Sequence, residues 1–598
     1  MLPPPATDPK DAQPAKPDKI DIYAEDWWTL SRPVIEIHGY YRVRAEFFNS
    51  LSLGRRDATF RDGDVDIPPI YPQPPDNDYI DTNGKRHTVA LCGDNPQDKE
   101  PCDTATQAGA NMRLRFSPEL YISDNLRVVS QIDLLDNVVL GSTPQGYANQ
   151  PTSGTGYEVV ARGGYSPTSA FVTTQWAPVG GFNSTRDAVT VKRVWGEYST
   201  PIGQLSFGRM PSHWGLGMVE NAGDGFDSDW QTTVDRLKVV TGLRSIDLYA
   251  SAAWDFANEG ATSAQGFEQE GQPYDLAQKD DVDQWTFYVV RQRQKQLQRS
   301  ELARGLPVFN GGVHFVYREQ SLANDQSGGS NDATLGATAD NIADGYLRRG
   351  YWAAVPDVWV QFLFKKFRFE VEAALAWGEL ENIETKAGTV GTNESYEIRQ
   401  FGIATQSEFR AFEDKLRINF DFGYATGDAD VDSLVPLGQR LQPQLTSDRT
   451  YSTFRFHPDY RVDLVLFRNV LSRVQGAYYF KPAVSYDFLR DPDGRRAGGT
   501  AGLIWSRASE FVQTPGHAQD LGVELNFKLY FQSRDGVIND DLEKMGGFYT
   551  HLEYGVLFPL DGMGYLQGEI EDYAIATGGD QLDTDTAHHL RWFVGVLF

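Results

Sequence analysis

The sequence predicts an all-β protein: a transmembrane antiparallel β-barrel of about eighteen strands, with long extracellular loops and short periplasmic turns. Three observations carry this expectation. Runs of about ten residues alternate between polar and apolar side chains and recur from residue 35 to the end of the chain. Aromatic residues abound, with 34 Phe, 28 Tyr and 13 Trp beside 6 Met. No stretch approaches the roughly 20 apolar residues that a membrane-crossing helix needs. The links between runs alternate short and long, the pattern of a barrel whose short links are periplasmic.

Residues 1–32 read as an N-terminal periplasmic lead-in and 33–598 as the barrel. The opening is Pro-rich and polar, lacks a signal peptide's apolar core, and reads as a mature chain behind an added Met. Trp27 and Trp28 make a short interfacial anchor before the first run. In that run Ile35, Ile37, Gly39, Tyr41, Val43, Ala45 and Phe47 share one face; Glu36, His38, Tyr40, Arg42, Arg44 and Glu46 share the other. One face suits lipid, the other water.

Runs 111–121 and 126–136 form a hairpin through Ser123, Asp124 and Asn125. Further hairpins join 188–199 to 204–210, and 231–241 to 245–256 through Gly242, Leu243 and Arg244. Run 283–292 reaches 310–320 through a basic link that reads as a short periplasmic helix. Next come 356–364/367–380, turning at Lys365-Lys366, and 398–411/415–427, turning at Phe412, Glu413 and Asp414. Runs 476–488, 496–507, 519–532 and 546–558 lead to the last, 586–598. An even number of strands returns the C-terminus to the periplasmic side. In the last run Leu590, Trp592, Val594, Val596 and Phe598 share a face, and the terminal Phe resembles the signal read by the barrel-assembly machinery.

Charged residues on the wet faces are the candidates for the lumen and its constriction: Glu36, His38, Arg42, Arg44, Glu46, Arg113, Arg115, Asp133, Arg193, Glu370, Glu372, Arg417, Asp421, Glu524, Glu553 and Arg591. Rings of charge select solutes in pores; the plainer alternative is that most of these residues brace the wall by pairing with one another. Segments 54–108, 138–186 and 212–230 read as extracellular loops, one of which folds inward as a constriction. Segment 455–472 has helix-like spacing at Val462, Val465 and Leu466 and reads as a plug or gate, or else as the top of a strand.

Cys92 and Cys102 share a Pro/Asp/Gly-rich segment and suit a short disulfide in an oxidising compartment. Asp76, Asp78 and Asp81, and separately Asp224, Asp227 and Asp229, raise calcium binding, but the loop grammar of a calcium site is not met, so solvated acidic loops are expected. No metal site, cofactor motif or catalytic constellation is proposed. The net charge of −27 argues against nucleic acid as a partner.

Several stretches, among them RPVIEIHGYYRVRAEFFNSLSLGR, RVWGEYSTPIGQLSFGRMPSHWGLGM and FHPDYRVDLVLF, resemble a family of large outer-membrane proteins of myxobacteria and their relatives. More coarsely, residues 203–210, 423–428 and 522–527 look like eighteen-stranded porins and the alginate-exporter group. The resemblance implies passage of solute or polymer across the outer membrane. The expected function is a porin-like channel for small polar solutes; the alternatives are a polysaccharide export channel and a non-conducting scaffold for adhesion or motility. Expected partners are outer-membrane lipid and lipopolysaccharide, the barrel-assembly machinery, small solutes or polysaccharide, and a periplasmic protein.

Overall fold

A strand with one apolar and one polar face turns the first to lipid and the second to water. Closing the sheet on itself then leaves no backbone edge unpaired in the bilayer. The computed structural model describes residues 34–54, 77–80, 86–89, 106–140, 189–258, 279, 281–324, 346–381, 395–430, 449–534, 546–579 and 581–598.

Eighteen strands build the wall. They are β1 Val34–Asn49, β2 Thr106–Ser123, β3 Leu126–Val139, β4 Val189–Thr200, β5 Gly203–Pro211 and β6 Thr233–Leu243. Next come β7 Leu248–Asn258, β8 Val282–Arg291, β9 Val308–Asn324, β10 Tyr346–Phe364, β11 Phe367–Leu380 and β12 Tyr396–Ala411. The last six are β13 Leu416–Ala425, β14 Ala477–Arg490, β15 Arg496–Ala508, β16 Asp520–Gln532, β17 Gly547–Pro559 and β18 Ala587–Leu597. Each pairs antiparallel with its sequence neighbour, and β18 closes on β1, from Tyr40 opposite Leu597 to Asn49 opposite His588. The same sheet takes in a two-residue strand, Thr450–Tyr451, laid parallel on β12; a separate short hairpin joins Asn77–Ile80 to Arg86–Val89.

One end of the wall carries tight links such as 124–125, 201–202, 365–366 and 412–415, and the other carries most of the long ones; 292–307 and 533–546 are longer links on the tight end. The third hairpin differs from the sequence reading: Gly242 and Leu243 still belong to β6, so the turn is 244–247. The basic link holds the helix α1, Lys295–Ala303, and a helix that the periodicity did not suggest, α2 Gln567–Thr577, lies between β17 and β18.

Outward residues form an apolar belt: Leu237 and Val239, Phe287 and Val289, Val358 and Val360, Ile418 and Phe420, Phe527 and Leu529 are all exposed. So continuous an apolar surface is stable only against lipid. Inward residues are the reverse. Arg42, Arg193, Arg591, Asp133, Asp255, Glu372 and Glu524 are at most 1% exposed, because other parts of the chain fill the lumen above them. Leu590, Trp592 and Val596 face outward, while the Phe598 ring lies beside Gly39 and 5.6 Å from that of Phe116. Gly39 and Phe598 exchange backbone hydrogen bonds of 2.8 and 3.0 Å at the seam. Residues 1–32, Cys92, Cys102, Asp76 and Asp81 lie outside the described residues, as do the side chains of 77–80.

Candidate functional site

Among the described residues, two long-side segments turn into the barrel: 212–232, between β5 and β6, and 452–475, between β13 and β14. The second is apolar. Phe454, Phe456, Val462, Leu464, Val465, Leu466 and Phe467 are buried against small or aliphatic wall residues such as Ala374, Ala404, Ala425, Ile504 and Leu557. The wall is cut to receive it: a Cβ on Gly402 would stand 2.2 Å from the Phe454 ring. Segment 455–472 is thus no strand top. It bends through a π-helical turn, Leu466–Val470, inside the lumen.

Wall glutamates hold both segments by their backbones. Glu524 accepts from the N–H groups of Leu464, Val465 and Leu466 at 2.9, 3.0 and 2.9 Å. Glu372 accepts from Met218 at 3.1 Å, from Val219 at 3.3 Å and from Leu216. A buried carboxyl oxygen needs such donors, since an acceptor left without one costs roughly 1–3 kcal/mol.

The 212–232 segment is polar and hangs on arginines. Arg42 donates to the Phe226 carbonyl at 2.7 Å and meets Asp229 at 2.9 Å. Arg44 reaches Asp229 at 2.7 Å and Asp227 at 3.3 Å. Arg113 donates to the Ser228 carbonyl at 2.6 Å, and Arg115 to that of Gly223 at 3.0 Å while paired with Asp133 at 2.6 Å. Arg193 holds Asp224 at 2.8 Å and the Ala222 carbonyl. Arg591 contacts Asp227 directly, with Glu46 at 3.2 Å and Glu553 at 3.3 Å behind it. Burial would lift the pKa of Asp229, but the Arg44 and Arg42 guanidiniums outweigh it and hold that carboxyl well below the usual range. The expectation of a solvated acidic loop is therefore corrected at Asp227 and Asp229, which are counter-ions of the lumen arginines, whereas Asp224 pairs with Arg193 and keeps about half of its side chain exposed.

The two segments also lock to each other. Arg468 pairs with Asp227 at 2.9 Å, and Asp459 accepts from the Asp229 amide at 3.2 Å and from the Ser228 hydroxyl. The His457 amide donates to the Met218 carbonyl at 2.7 Å. His457 Nδ1 accepts from the Asp459 amide at 3.0 Å, and burial draws this ring's pKa down to about 4, so it stays neutral.

Of the sequence candidates, Arg42, Arg44, Arg113, Arg115, Arg193, Glu372, Glu524 and Arg591 touch the inward segments. Glu46, Asp133 and Glu553 stand one contact behind them. The others lie apart. Glu36 and His38 sit near the short-link rim, 4.0 Å from each other. Glu370 pairs with Arg368 at 2.6 Å, Arg417 bonds the Tyr530 hydroxyl at 2.7 Å, and Asp421 meets Lys481 at 3.4 Å. Sequence reasoning missed Asp459 and Arg468 as partners of the other loop, although both fall inside the segment that it singled out as a plug.

Between the 212–232 segment and the short-link half of the wall lies a cavity of about 860 Å³. Its lining mixes rings (Tyr40, Phe226, Tyr549) with His38, His213, His551 and charged groups of both signs.

Fold and site together define the class: a closed, membrane-spanning β-barrel of eighteen strands whose lumen, among the described residues, takes in the 212–232 and 452–475 segments. No family model and no curated protein matches the chain, so the resemblance to a myxobacterial family finds no support there. Solved structures that match it are outer-membrane proteins. OccK11 (OpdR) of Pseudomonas aeruginosa has 8% identity and a TM-score of 0.38, over 94% of this chain and 96% of that one. OccAB2 of Acinetobacter baumannii has 9% identity and a TM-score of 0.38, over 94% and 98%. An anion-selective porin from Comamonas acidovorans has 7% identity and a TM-score of 0.35, over 95% and 100%. Likeness this distant carries no argument about function.

Proposed function

We propose that this chain is an outer-membrane channel for small polar solutes, narrowed by its own 212–232 and 452–475 segments. The observation that carries the reading is the ion-paired inner wall with a cavity of about 860 Å³, lined by both charged and aromatic side chains, on its short-link side. A wall meant only to be packed solid has no need of so many buried charges, which cost solvation unless each is paired. In this reading the short links face the periplasm, the apolar belt meets lipid and lipopolysaccharide, and Trp592, Val594, Val596 and Phe598 are read by the assembly machinery.

A second reading, a non-conducting scaffold, draws on the apolar cluster around 452–475 that fills part of the lumen. The polysaccharide exporter wants a wide bore, which two inward segments oppose. Conductance of refolded protein in a planar bilayer tests the choice. Small, steady, salt-dependent steps are expected; a silent membrane that contains verified folded barrel would move the weight to the scaffold.

A further inference from the structure

Asp227 borders a second, smaller cavity of about 230 Å³, whose lining includes Arg461, Arg468, Lys481, Lys528 and Arg591 beside the apolar Leu464 and Ile504. Of the acids that face it, Glu553 is engaged by Lys528 at 3.0 Å and Arg591 at 3.3 Å, and Asp463 accepts the amides of Phe467 and Arg468 at 3.0 Å. Arg461 keeps a buried Nε with no hydrogen-bond partner, although its terminal nitrogen meets Asp459 at 3.2 Å. Each of the five cations has a carboxylate partner, Lys481 with Asp421 at 3.4 Å and Arg591 with Glu46 at 3.2 Å among them, and the one lining carboxylate that comes from the 212–232 segment is Asp227, which Arg468 and Arg591 both hold.

We infer that this recess is a binding site for a compact polyanion bearing phosphate or carboxylate groups, and that Asp227 occupies it as a tethered stand-in. The attachment of the 222–230 tip fits that role. The base of the segment is stitched by backbone bonds, Ser212 to the Thr232 carbonyl at 3.1 Å and Thr232 to that of Asn221 at 2.6 Å. The tip pairs with no strand and is held to the wall by side chains, chiefly arginines on its acids and carbonyls. Taking the acid away from a buried arginine leaves an uncompensated charge unless another anion replaces it. A polyanion that enters the recess supplies that replacement, so the exchange of Asp227 for ligand is close to balanced. The recess and the larger cavity share Asp227, Arg461, Lys528 and Glu553 in their linings, which gives the ligand a route.

The consequence for conduction rests on the channel reading; the binding does not. The experiment is calorimetry on the folded full chain in detergent with inorganic pyrophosphate as probe, at constant ionic strength. Wild type binds, Asp227→Asn binds roughly ten-fold tighter because the competitor's charge is gone, and Arg468→Gln binds roughly ten-fold weaker. Arg468→Gln leaves Asp227 paired with Arg44 and Arg591, so it carries the test if Asp227→Asn does not fold. Absence of binding to folded wild type, or equal affinity in wild type and Arg468→Gln, overturns the site. In a planar bilayer, pyrophosphate is expected to raise the conductance of wild type. Calorimetric binding with a silent membrane leaves the site standing and counts against the channel reading alone.

Discussion

Glu370 and Glu524 look alike in the sequence: both are inward glutamates on alternating strands. In the structure they differ in what they hold. Glu370 pairs with Arg368 and the Trp359 indole on the wall, whereas Glu524 takes three plug amides. Glu524→Ala should lower the stability of the folded barrel by about 3 kcal/mol, and Glu370→Ala by about 1 kcal/mol or less, read from guanidinium unfolding midpoints. His457 adds a pH dependence. Its pKa falls from 6.5 to about 4 on folding, so the neutral ring favours the folded state. That contribution is present above pH 6.5 and fades as pH falls towards 4. Melting temperatures measured between pH 7 and pH 4 should drop more in wild type than in His457→Gln, which keeps a neutral acceptor. Equal slopes would show that the His457 ring contributes nothing to the pH dependence of stability.

At the scale of elements, the strands follow from alternation, but the seat of the plug breaks it. Inward positions 374, 402, 404 and 425 are Ala, Gly, Ala and Ala rather than charged. That run of small inward residues is a signal that the sequence carries for a buried apolar partner, and it passes unnoticed when each strand is read alone. The 212–232 segment gave no such cue, since Asp224, Asp227 and Asp229 look solvated until arginines from β1, β2, β4 and β18 are brought round them. Replacing residues 222–230 with a short Gly-Ser linker should raise single-channel conductance several-fold in planar bilayers, as the element across the lumen is removed. Unchanged conductance would mean that 452–475 alone sets the bore.

At the scale of the molecule, closure of β1 on β18 is what makes every strand's edge safe in lipid. Folded protein should therefore resist unheated detergent and run differently on a gel after boiling; one mobility before and after would contradict the barrel. Deleting Phe598 removes the ring beside Gly39 and the two backbone bonds at the seam. Refolding into lipid, followed by that gel shift, should slow several-fold, because the seam joins the two ends of the chain and closes last.

The sequence by itself determined the eighteen strands, their faces and the alternation of short and long links, because these are local periodicities of period two with turn residues between them. It also placed charge on the inner wall and marked 455–472 as unlike a strand. Only the tertiary structure decided which charges meet. Asp227 lies 183 residues from Arg44, 241 from Arg468 and 364 from Arg591, and no local pattern encodes contacts of that range. Barrel closure brings those positions together, and burial of the arginines beneath the inward segments makes their pairing obligatory, since a buried charge without a partner is too costly to keep.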